Sequence, residues 1–190
     1  RWEDLAPEIE ISFTYPFDNL REDQLEALRA ILRNEALVEM GAGEEAEQRA
    51  QADRALLATQ GVDVDDLFAQ RQAIMQMYAE AAAATNPDIV GQNIRMPGYL
   101  LPLEVKDRKA VEFLLVPTVG ACIHTPAPPP NQVVHIVYPD GIEVVGLYTP
   151  VWINGTMLEA RSRQTVIYYD GKALVDVSYK MTPDLVEPYR

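Results

Sequence analysis

The chain has 190 residues, enough for one domain with a sizeable core, and 48% of them are hydrophobic, so wholesale disorder is excluded. Sixteen basic residues stand against 29 acidic ones, a net charge of −13 that repels phosphate backbones and argues against nucleic acid as the partner. No apolar run reaches the roughly 20 residues that a membrane-spanning helix needs, and the single cysteine excludes an internal disulfide.

The acidic excess is concentrated in the first half: 19 acidic and 7 basic residues up to Asp88, then 10 and 9 from Ile89 onward. The chain opens on Arg1, which reads as a processed N-terminus with any signal peptide or lipid-bearing cysteine upstream. Ile9, Ile11 and Phe13 then alternate as a short strand does. Beyond Pro16, Asp18 or Asn19 is placed to cap a helix striped by Leu25, Leu28 and Leu32, which Gly41 and Gly43 end. A second helix, Glu44 to Gln60, sets Ala46, Ala50, Asp53 and Leu57 along one side. Gly61 serves as its C-cap, and Asp63 as the N-cap of a third helix to about Ala84, with Leu67, Ile74, Tyr78 and Ala81 on its apolar face. The triplet Asp63, Asp65 and Asp66 lacks the glycine and glutamate of a calcium loop.

Beyond Pro87 the texture becomes β. Strands are predicted at 93–103, 111–117, 133–138, 151–159, 165–169 and 173–181. Lys106-Asp107-Arg108-Lys109 forms a hairpin tip, and Asp140-Gly141 and Asp170-Gly171 are turn dipeptides. Five or six short strands without intervening helices indicate a small antiparallel β-barrel, in which Gly98 and Gly155 supply bends. The expected architecture is therefore mainly β with an α-helical N-terminal arm: an acidic extension over residues 1–88 and a barrel domain over 89–190.

Chemistry concentrates between Met96 and Gln132. Cys122 and His124 are two apart, so an extended segment presents both on one side. Thiolate and imidazole together suit zinc or copper, and equally a nucleophile–base pair. Pro126 and Pro128-Pro129-Pro130 stiffen the loop that carries them. The plainer alternative is a cysteine buried as a small hydrophobe beside a histidine bonded to the loop backbone. Further metal ligands would come from Glu104, His135, Met96 or a partner chain. His135 also reads as a barrel-interior histidine satisfied by a neighbour, Glu104 as an exposed strand-end carboxylate, and Asn131-Gln132 as ties for the loop's own backbone.

Three segments carry a family resemblance: Gly98-Tyr99-Leu100-Leu101-Pro102-Leu103-Glu104; Phe113-Leu114-Leu115-Val116-Pro117; and Gly120-Ala121-Cys122-Ile123-His124-Thr125-Pro126 through Pro128-Pro129-Pro130-Asn131-Gln132. With Pro150-Val151-Trp152-Ile153-Asn154-Gly155 and the lead-in Trp2-Glu3-Asp4-Leu5, they resemble a bacterial family known as domain of unknown function 3299. The resemblance covers residues 89–160 well and the N-terminal arm poorly. It implies an exported protein of Gram-negative bacteria, periplasmic or held on the periplasmic side by a lipoprotein anchor. It also implies an association with ABC transporter components linked to zinc supply, and a barrel of the oligonucleotide/oligosaccharide-binding (OB) type. The expectation is an exported, non-enzymatic binding or accessory protein, with Cys122 and His124 as ligands of zinc or copper and an envelope ABC transporter component as partner. Its rivals are a metal-free structural interaction module and a thiol-dependent enzyme using Cys122 with His124.

Overall fold

Five strands and three helices make up the computed structural model, which describes residues 1–41, 43–119, 128–168 and 171–189. They divide into two units, one of residues 11–78 and one of residues 1–10 with 79–190.

The first unit holds helices α1 (Glu22–Glu39) and α2 (Gly43–Thr59) and most of α3 (Val64–Ala83). Its core is Leu28, Ile31, Leu57, Val64 and Leu67. The expected stripe on α1 is displaced: Leu28 is buried, but Leu32 is exposed, and Ile31 and Asn34 are buried instead. Arg21, not Asp18 or Asn19, takes the N-cap position of α1, and its N–H donates to Gln24 Oε1 at 3.0 Å. Gly61, with φ +76°, ends α2 as expected, and the Val62 N–H reaches back to the Leu57 carbonyl at 3.0 Å. Asp63 caps α3 through Oδ1, which accepts from the Asp66 N–H at 3.1 Å. Ile11 and Phe13 form no strand. Phe13 packs edge-on against Tyr78, with ring centroids 5.8 Å apart, and the row continues through Tyr15 to Phe17.

The second unit is a five-stranded mixed sheet: β1 (Asn93–Lys106), β2 (Lys109–Val116), β3 (Val134–Glu143), β4 (Thr149–Tyr168) and β5 (Gly171–Pro188). Pairing runs β1-β2-β3-β5-β4 and returns to β1, so the circuit closes. Four junctions are antiparallel as expected; the fifth is not, because β3 and β5 run parallel over Val134–Tyr179, His135–Lys180 and Ile136–Met181. The two strands expected at 151–159 and 165–169 are one strand, β4, with an irregularity between Glu159 and Ser162. The polar run Glu159–Arg163 breaks the apolar pattern at that point without breaking the ladder. The hairpin tip between β1 and β2 is as expected, with Asp107 and Arg108 both at positive φ. Asp140-Gly141 is no turn: it lies within β3, with Gly141 at φ +65° opposite a register shift on β2.

Alternation sends side chains to two cores. Leu100, Phe113, Leu115, Val134, Ile136, Ile153, Tyr179 and Met181 belong to the larger. Leu101, Leu114, Val116 and Val133 point to the other face, where they join Val166, Val175 and Val177 from the far half of the β4–β5 hairpin. Strands β1 and β2 are thus buried on both faces, which is why Leu100-Leu101 and Phe113–Val116 read as unbroken apolar runs.

Candidate functional site

The β4–β5 hairpin covers one face of β1 and β2, and the connection between β2 and β3 follows Val116. Cys122 and His124, the residues expected to carry metal or thiol chemistry, lie within 120–127, outside the described residues. The two roots of the connection are described.

One root is Pro117, following β2. The other is a 3-10 turn, Pro130–Gln132, entered through Pro129 at φ −55°, ψ 149°, the polyproline II region. Asn131, 3% exposed, donates from Nδ2 to the carbonyls of Ala81 at 3.2 Å and Ala84 at 3.1 Å. Ala81 lies in the last turn of α3 and Ala84 just past it, and the Ala81 carbonyl also accepts from the Ala84 N–H at 3.3 Å. Gln132 Nε2 donates to the Trp2 carbonyl at 3.0 Å. Both side chains were expected to bind their own loop. They fasten it to distant segments instead, a pairing that local sequence carries no sign of.

The other candidate ligands are dispersed. Met96 is buried in the larger core. Glu104 pairs with Lys106 at 3.0 Å, half exposed. His135 has the partner expected of it, Glu112 Oε1 at 2.7 Å from Nε2, but does not point into the sheet's interior. Its neighbours Val134 and Ile136 do, and a period of two puts His135 on the opposite face. Among the described residues no three His, Cys, Asp or Glu side chains converge as a metal group.

Beside Pro117 lies a hollow of about 240 Å³ lined by Trp2, Pro97, Gly98, Tyr99, Pro117, Pro150 and Tyr189. Trp2 is fixed at both ends: Nε1 donates to the Pro97 carbonyl at 2.8 Å, and its own carbonyl accepts from Gln132. Gly98 is required beneath it, since a Cβ there would come within 2.6 Å of Leu115 Cγ and 3.0 Å of Trp2 Cζ2. The Tyr189 N–H donates to the Pro150 carbonyl at 3.0 Å. The Tyr189 ring stacks on Trp152, centroids 5.6 Å apart and planes 15° from parallel, and Arg95 Cζ sits 4.7 Å from the Trp152 ring centre. Residues 2, 97–99, 117, 150 and 189 have no local motif in common, so sequence reading missed the hollow.

A closed five-stranded mixed sheet with helices ahead of it and a doubly rooted β2–β3 connection is the class of molecule these observations define. The chain belongs to the DUF3299 family, described as protein of unknown function, whose model matches residues 2–188. It is similar to a DUF3299 family protein from Pseudomonas aeruginosa PAO1 of known crystal structure, with 31% sequence identity over 59% of this chain and 74% of that one, and a TM-score of 0.47. No curated protein matches the chain.

Proposed function

We propose that the chain is a non-enzymatic binding protein built on an OB-type barrel, and that it captures zinc or copper on the β2–β3 connection. Cys122 supplies a thiolate and His124 an imidazole nitrogen. The five-stranded closed circuit supports the barrel reading. The observation that carries the binding reading is the anchoring of the connection's C-terminal root through buried Asn131, which bonds the carbonyls of Ala81 and Ala84. Holding that root in place lowers the ordering cost of the connection, which supports capture over a free-ended arrangement.

Thiolate and imidazole select zinc or copper over magnesium or calcium, and two protein ligands leave coordination positions open. Met96, Glu104 and His135 are engaged elsewhere, so water or a partner's side chain fills those positions. A periplasmic accessory role beside an envelope ABC transporter component extends the proposal through the family resemblance.

Equilibrium dialysis against zinc and copper tests it. Stoichiometric uptake at micromolar metal, lost in both Cys122→Ser and His124→Ala, is the expected result. No uptake, or uptake unchanged in both variants, overturns it. Rapid alkylation of the native thiol at neutral pH without metal uptake would transfer the site to thiol catalysis.

A further inference from the structure

The hollow beside Pro117 uses none of the loop side chains on which the proposed function rests. Among the described residues its lining is three aromatic residues, three prolines and a glycine, with no charged side chain. The rings come from three separate places: Trp2 just ahead of a 3-10 turn at Glu3–Leu5, Tyr99 in β1, and Tyr189 just past β5.

We propose that this hollow binds a quaternary ammonium group, the trimethylammonium head of a choline- or betaine-like molecule. Aromatic faces carry the negative side of the ring quadrupole and attract a cation placed over them. A trimethylammonium head has no N–H to satisfy, so a mostly apolar lining suits it, whereas a primary ammonium would lose most of its hydrogen bonds there. The adjoining surface already holds a cation in this manner. Arg95 lies 4.7 Å from the centre of the Trp152 ring, and Trp152 stacks on Tyr189, itself a wall of the hollow. Charge agrees as well: the unit that holds the hollow carries 16 acidic and 10 basic residues, an excess that favours cations over anions. Arg95 and Glu187, near Tyr189 in sequence or stacking, pair with each other at 3.5 Å and leave no excess positive charge between them.

A proline-rich peptide is the other ligand that walls of this kind accept, and charge separates the two. The whole chain is titrated with choline chloride at constant ionic strength, following tryptophan fluorescence and heat. The neutral isostere 3,3-dimethylbutan-1-ol and a decaproline peptide are titrated in parallel. Saturable choline binding is expected, about tenfold or more tighter than the isostere. Tyr189→Leu should abolish it and Tyr189→Phe retain it; Tyr189 is half exposed, so both variants are expected to fold. Trp2→Leu should lose binding too, and a Cys122→Ser, His124→Ala chain should keep it. Equal binding of choline and isostere overturns the proposal, as does saturation by decaproline without choline binding, or unchanged affinity in Tyr189→Leu.

Discussion

Through one phenolic oxygen, Tyr179 joins three segments far apart in sequence. Its hydroxyl donates to the Leu5 carbonyl at 2.6 Å and accepts from the Asn86 N–H at 2.6 Å, and its ring is fully buried in the larger core. Burial pushes its pKa up from 10.0, partly opposed by the Asn86 N–H. Above about pH 10 the unfolded phenol ionises while the native one keeps its proton, so the native state binds more protons and stability falls as pH rises. Tyr179→Phe leaves both backbone partners unpaired and should cost about 1–3 kcal/mol at neutral pH. Urea midpoints should show that gap narrowing above about pH 10; a gap constant across the range contradicts the assignment.

Among elements, the helices were the more legible, because their ends carry single-residue signals: Gly61 at positive φ and Asp63 with its capping oxygen act as the sequence indicates. Strand number was less legible, since Glu159–Arg163 is polar yet stays within β4. The parallel joint left no trace, because alternation reports burial and not partner direction. Gly155 was readable as a special position, though its reason is the close approach of its paired strand β5 at a register shift. A Cβ there would lie 2.4 Å from the Thr182 carbonyl oxygen and 2.7 Å from Pro183 Cα, both backbone atoms. Gly155→Ala should therefore destabilise by about 1–3 kcal/mol. Gly146→Ala, with nothing within 4 Å, should stay within about 0.5 kcal/mol. Denaturant midpoints of the two variants check the contrast.

For the whole molecule, the unequal cores decide where stability resides. Among the described residues, the sheet unit has a core of fifteen buried residues and a second of seven, against five in the helical unit. Hydrogen exchange should leave the amides of Leu100–Leu101 and Phe113–Val116 protected longest and those of α2 exchanging earlier; the reverse order would contradict this ranking. Of the prolines that mark the predicted loop, Pro129 and Pro130 enter the described turn that roots it, while Cys122 and His124 lie outside the described residues. The sequence did not reveal the hollow, which needs residue 2 beside residue 189.

The parallel joint of β3 and β5 has a consequence for synthesis. Of the five strands, β5 is made last, and it alone supplies partners to β3 and β4 together. Until residues 171–188 emerge, a nascent chain carries two bare edges ready to recruit foreign strands. Loss of that final segment would thus yield a sticky, open sheet rather than a slightly smaller protein.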